Sequence, residues 1–253
     1  MLESYINQQL KTKEILLMTH IVMGYPDFDT SYEIVQQMVE AGVDLMELQI
    51  PFSEPMADGP VILRANQRAI EGGSTVQRCF DFAKRVAQDF SIPFLFMSYA
   101  NILYKYGMEP FADQMASLNL KGAIVPDLPP EEGAEYMAAM AKNNLAPIYI
   151  FSPETSQERM TYISTFAKGF IYCLARKGVT GKTTSFSTDI ADYLGRCRKA
   201  TFLPLAVGFG VKNRADIDFL RGKADIAVIG SQTIRVVEEK GATATQDFIR
   251  SLL

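Results

Sequence analysis

Glu47 and Asp58 are the residues whose types and surroundings most suggest chemistry in this chain. Glu47 lies in the apolar run 43–50, where strand alternation puts Leu45, Glu47 and Gln49 on one face and Met46, Leu48 and Ile50 on the other. The wholly apolar face is expected to pack against helices, which turns Glu47 and Gln49 inward near the end of the strand. A carboxylate withdrawn from water has a raised pKa and can both give and take a proton near neutrality, the requirement for a general acid/base. Taken alone, Glu47 also fits an ion-paired or wet rim position. Asp58 follows in the loop Pro51-Phe52-Ser53-Glu54-Pro55-Met56-Ala57-Asp58-Gly59-Pro60, whose prolines and glycine restrict the backbone. It fits either a second working carboxylate or an Asx turn with Gly59. Glu54 fits a solvent or partner contact.

Three glycine-containing turns fall after the last three apolar runs: Gly178-Val179-Thr180-Gly181, Gly208-Phe209-Gly210 and Gly230-Ser231. Each alone is an ordinary turn signal. In a barrel, however, successive late loops lie side by side, and their backbone N–H groups with a helix N-terminus make an anion site that needs few basic side chains. The pattern points to a phosphate held by Gly181, Gly210, Gly230 and Ser231.

These groups need a scaffold that gathers them. Apolar, β-branched runs at 15–23, 43–50, 93–99, 122–128, 146–152, 170–175, 204–207 and 226–230 read as strands. Amphipathic patterns at 31–40, 76–90, 131–143, 157–166, 189–198 and 214–220 read as helices, with another at 2–10 ahead of the first strand. Eight strands interleaved with helices predict an α/β fold, a (β/α)8 TIM barrel with an extra N-terminal helix, as one domain over 1–253. An open doubly wound sheet is the alternative. It is disfavoured because the first βα turn, Met23-Gly24-Tyr25-Pro26-Asp27, lacks a glycine-rich dinucleotide fingerprint.

The 253 residues are 48% hydrophobic and 21% charged, enough apolar material for a large core. A formal net charge of −4 with no Lys/Arg run leaves no footprint for nucleic acid or an anionic membrane. The start of the chain lacks a signal-peptide pattern, and no apolar run reaches the roughly 18 residues of a spanning helix. A cytoplasmic location is expected. Cys79, Cys173 and Cys197 have no metal-ligand spacing, and with His20 the only histidine no metal site is expected.

The stretch Glu47-Leu48-Gln49-Ile50-Pro51-Phe52-Ser53-Glu54-Pro55-Met56-Ala57-Asp58-Gly59-Pro60 resembles the signature of the tryptophan synthase alpha subunit family. The resemblance continues in Ser98-Tyr99-Ala100-Asn101, in Val125-Pro126-Asp127-Leu128-Pro129, in Tyr172 with Arg176-Lys177-Gly178-Val179-Thr180-Gly181, and in the Gly208-Phe209-Gly210 and Gly230-Ser231 turns. It implies a barrel lyase that cleaves indole-3-glycerol phosphate to indole and glyceraldehyde 3-phosphate. Indole would pass to a beta subunit, with pyridoxal phosphate on that partner, none on this chain, and an alpha2beta2 assembly. By the same resemblance Glu47 is the general acid/base and Asp58 the carboxylate facing the indole N–H. Tyr172 lines the site, and Thr180, Gly181, Gly210, Gly230 and Ser231 hold the phosphate. Pro51–Pro60 and Ser98–Asn101 would face the beta subunit.

The chain departs from the family at Gln49, where a glycine is usual, and at His20, where a phenylalanine usually packs on the indole. It departs again in the segment after Gly181, which lacks a leucine-proline step, and its C-terminus looks shorter than is usual. Gln49 is expected to crowd the substrate, and His20 to alter a pocket wall or to be a satisfied core residue. A chain retained mainly to bind and activate the beta subunit, with weak cleavage, is the alternative activity.

Overall fold

Every predicted apolar run contributes a strand in the computed structural model, which describes residues 1–175, 188–208 and 210–253. They are β1 (Leu16–Val22), β2 (Leu45–Gln49), β3 (Phe94–Met97), β4 (Gly122–Ile124), β5 (Ala146–Phe151), β6 (Ile171–Leu174), β7 (Leu205–Gly208) and β8 (Ile226–Ile229). All pair in parallel and in chain order, and β8 returns to β1, so the sheet closes into a barrel. Before β1 lies α1 (Leu2–Gln9), and α2 (Phe28–Glu40) joins β1 to β2. Between β2 and β3 come α3 (Pro60–Glu71) and α4 (Val76–Asp89), and after β3 come α5 (Ala100–Tyr106) and α6 (Met108–Ser117). The later helices are α7 (Ala134–Lys142), α8 (Gln157–Ser164), α9 (Thr188–Ala200), α10 (Arg214–Leu220), α11 (Ser231–Lys240) and α12 (Ala244–Leu252). This is the (β/α)8 barrel that the alternation predicts.

The period of two along each strand divides the apolar residues into two cores. Leu16 and Met18 of β1, Leu45 of β2, Leu95 of β3 and Ile148 of β5 meet inside the barrel. Their neighbours Leu17, Met46, Leu48, Phe94 and Phe96 belong to the cluster shared with the surrounding helices. α1 places Leu2 and Ile6 in the inner cluster beside Ala146 and Phe170, closing the N-terminal end. Gly169 permits this approach, with φ at +81° and a site where an added Cβ would lie 2.9 Å from Leu2 Cδ2.

Several elements differ from the sequence reading for local reasons. The fourth strand stops at Ile124 because Pro126, Pro129 and Pro130 cannot donate to a ladder, and the same prolines delay α7 to Ala134. α2 starts earlier than predicted, at Phe28, since Asp27 accepts the N–H of Thr30 as its cap. α3 has no counterpart in the sequence reading: Pro60, the last residue of the proline-rich loop, is also the first residue of a helix, where its missing N–H costs nothing. α5, α6 and α12 were likewise missed. Among the described residues no helix is long and apolar enough to cross a membrane.

Candidate functional site

Glu47 occupies the inward face of β2 close to its C-terminal end, and its Cα registers with that of His20 on β1. Both are buried, and Glu47 Oε1 lies 3.1 Å from His20 Nδ1. A wet rim position is therefore excluded, and the partner is an imidazole rather than a surface cation. Burial of His20 works against its protonation, but the hydrogen bond and charge of Glu47, with Asp58 and the Gln49 side chain, outweigh it. The pKa of His20 is raised above the ordinary 6.5.

Asp58 is also buried, and no Asx turn holds it: its Oδ2 accepts from Gln49 Nε2 at 2.7 Å and from the Tyr99 hydroxyl at 2.9 Å. Burial raises its pKa, opposed by the nearby His20 and by these two donors, which favour the ionised form. The Tyr99 hydroxyl in turn accepts the N–H of Ala57, tying the loop to β3. Gln49 is fully buried behind Asp58 and is not part of the cleft wall, so the expected crowding does not occur. Its amide also donates to Asn66 Oδ1 at 3.3 Å, and Asn66 accepts from Phe52 N–H at 2.9 Å. One buried polar network thus fixes β2, its loop and α3, and its members beyond Asp58 support the carboxylate rather than meet the cleft.

Glu47 and Asp58 open onto a cleft of about 630 Å³, counting its mouth, at the C-terminal end of the barrel. Tyr172, Gly210, Gly230 and Ser231 line the same cleft, as does His20. Its apolar walls are Ile62, Met97, Ile124, Ile150 and Val228. Ser231 is the first residue of α11, with Gly230 as its cap, so a helix N-terminus borders the cleft while no Lys or Arg among the described residues does. The side chain of Tyr172 fits only because position 208 is glycine: a Cβ there would lie 2.3 Å from the phenol oxygen. Burial, then the charges of Glu47 and Asp58, raises the Tyr172 pKa well above 10, so it stays a phenol. Thr180 and Gly181 lie outside the described residues.

Sequence reasoning missed Asn66 and the part played by Tyr99. Asn66 carried a signal, a lone amide on the buried side of an otherwise apolar stripe, that is visible only once residues 60–71 are recognised as a helix. Tyr99 entered only through resemblance.

A profile of the family described as "Tryptophan synthase alpha chain" matches residues 6–252. The tryptophan synthase alpha chain of Desulforapulum autotrophicum is 68% identical over 252 residues, covering 100% of both chains. The chain belongs to the tryptophan synthase alpha chain family. Solved structures agree with the sequence match. Tryptophan synthase from Mycobacterium tuberculosis superposes with a TM-score of 0.93 at 28% identity, covering 99% of this chain and 96% of that one. A tryptophan synthase complex from Pyrococcus furiosus gives 0.84 at 26% identity, over 94% and 97% of the two chains. As a tryptophan synthase alpha chain, this protein is the lyase of tryptophan biosynthesis that cleaves indole-3-glycerol phosphate to indole and glyceraldehyde 3-phosphate.

Proposed function

We propose that the cleft carries out this retro-aldol cleavage with Glu47 as general acid/base and Asp58 as the carboxylate that receives the indole N–H. The supporting observation is the convergence of Glu47, Asp58, Tyr172 and the N-terminus of α11 on one cleft with apolar walls. Cleavage requires a proton on indole C3, which makes the ring an electron sink, and removal of the proton from the hydroxyl on the adjoining carbon. The C–C bond then breaks, its electrons return to the ring, and an aldehyde remains on the triose phosphate. Glu47 serves both proton transfers. Asp58, with Oδ2 held by Gln49 and Tyr99, keeps Oδ1 for the ring N–H and stabilises the cationic intermediate. Ile62, Met97, Ile124 and Ile150 flank the indole, and Tyr172 sets its edge. The phosphate lies against Gly210, Gly230 and Ser231 together with Thr180 and Gly181, bound by backbone N–H groups and the α11 dipole.

The partner is a beta subunit carrying pyridoxal phosphate, in an alpha2beta2 assembly, and this chain binds no cofactor of its own. Exposed Met56 in the loop after β2 and Tyr104 on α5 offer apolar contacts beside 51–60 and 98–101. The test is indole release from indole-3-glycerol phosphate by the chain alone and with its beta subunit. Glu47→Gln is expected to lower kcat by about 100-fold or more. Release untouched by that substitution would remove Glu47 from the chemistry. A chain that activated its partner without releasing indole would be a regulatory subunit instead.

A further inference from the structure

Backbone groups dictate how the polar side chains behind the cleft are turned, and the orientation propagates to His20. Asn66 Oδ1 accepts Phe52 N–H and Asn66 Nδ2 donates to the Ile62 carbonyl, each at 2.9 Å. A backbone N–H and C=O cannot exchange roles, so this amide has one orientation. Asn66 Oδ1 and Asp58 Oδ2 are then both acceptors, and Gln49 must turn its NH₂ toward them. Its Oε1 is left buried without a hydrogen-bond partner among the described residues, and His20 Nε2 is left in the same condition. The two side chains come from adjacent strands and share a face, Gln49 lying two residues beyond the register partner of His20, since His20 registers with Glu47 and Val22 with Gln49. The Gln49 side chain is the least of the groups that raise the His20 pKa, after Glu47 and Asp58.

Gln49 Oε1 can only accept, so of the two ring tautomers the one with Nε2–H is the one that offers it a donor. Two states then satisfy Nδ1 and Glu47: an imidazolium donating to the carboxylate, or a neutral ring accepting from the carboxylic acid. They contain the same number of protons and differ by one transfer between Nδ1 and Oε1.

We propose that His20 is a positioning residue that shares a single proton with Glu47 and is held in register by Gln49, so that Glu47 alternates between acid and base. The proposal rests on the lyase role given to Glu47 above. When the acid form turns its proton away from Nδ1, breaking that hydrogen bond, and delivers it to indole C3, the carboxylate is left facing the Nδ1 lone pair. Transfer of the hydroxyl proton to this carboxylate relieves that repulsion and restores the starting pair. No proton is gained or lost over the cycle. Few other groups compete for the ring. From β2 and its loop come Glu47 and Asp58, from β6 Tyr172 faces both carboxylates, and from α2 and α11 come Ile34, Met38 and Thr233. Tyr25, behind the ring, has its hydroxyl engaged by Glu238.

His20 is the only histidine in the sequence, so the untagged chain grown with ¹⁵N-histidine has one imidazole to follow by NMR. The expected result is a titration midpoint above 6.5 with Nε2 protonated throughout, and a fall of about one pH unit or more in Glu47→Gln, where burial dominates. Gln49→Leu is expected to release the ring from its Nε2–H form. A midpoint at or below 6.5, an Nδ1–H tautomer, or no response to Glu47→Gln overturns the proposal. In kinetics, His20→Phe is expected to move the alkaline limb of kcat to lower pH by about one unit, and an unmoved limb also overturns it. The titration needs no substrate. Loss of indole release in Glu47→Gln together with a low His20 midpoint would therefore keep the lyase reading and remove only the proton sharing.

Discussion

Gly208 shows how a residue with no side chain can shape the chemistry. An added Cβ would meet Tyr172 Oη at 2.3 Å and Cε1 at 2.6 Å, the end of a buried aromatic ring whose open side is the cleft it lines. Gly208→Ala is therefore expected to displace Tyr172 into the cleft and raise KM for indole-3-glycerol phosphate by about 10-fold or more while the chain stays folded, checked by steady-state kinetics beside a thermal melt. By contrast, a Cβ at Gly230 would sit 3.7 Å from His20 Cβ, an ordinary contact, so the two glycines are not equivalent despite identical readings as turn residues. Sequence could place Glu47 and Gln49 on one inner face because alternation in a strand is a local property. It could not tell that Gln49 supports Asp58, because that depends on how a loop and α3 fold back over β2.

Among the elements, capping decides where helices begin more sharply than hydrophobic pattern does. α10 is the shortest case that matters: Asn213 accepts from Asp216 N–H while Asp216 accepts from the Asn213 N–H, a reciprocal box just after Gly210. Lys212 N–H is bound by the same Asp216 carboxylate, so the cap also pins the chain leaving the cleft. Asn213→Ala is expected to cost about 1 kcal/mol, measured by urea unfolding, with a weaker grip on substrate phosphate as its companion effect. The start of α10 at Arg214 was legible in the sequence, and so were all the strands, because both follow from signals within a few residues. α3 was not: a proline-rich approach and a proline at its first position look locally like the end of structure rather than its start.

At the scale of the whole molecule, the titratable groups in the cleft bear on stability as well as on chemistry. The folded chain raises His20 above its unfolded 6.5, so the stabilisation from its partners is complete below that pH and is lost as pH rises through the folded value. Asp58, raised above 3.8, likewise holds its proton more tightly when folded and weighs against the fold as it ionises. The melting temperature is expected to fall as pH rises from 6.5 through the folded-state pKa of His20, and to do so less steeply in Glu47→Gln, followed by calorimetry in buffers of constant ionic strength. The inner barrel adds a different constraint. Leu2 and Ile6 seal its N-terminal end, with Leu16, Met18, Leu45 and Leu95 stacked above them. Arrival, reaction and departure must therefore share one doorway, and a protein docked over it becomes a gatekeeper that times each turnover as well as receiving what comes out.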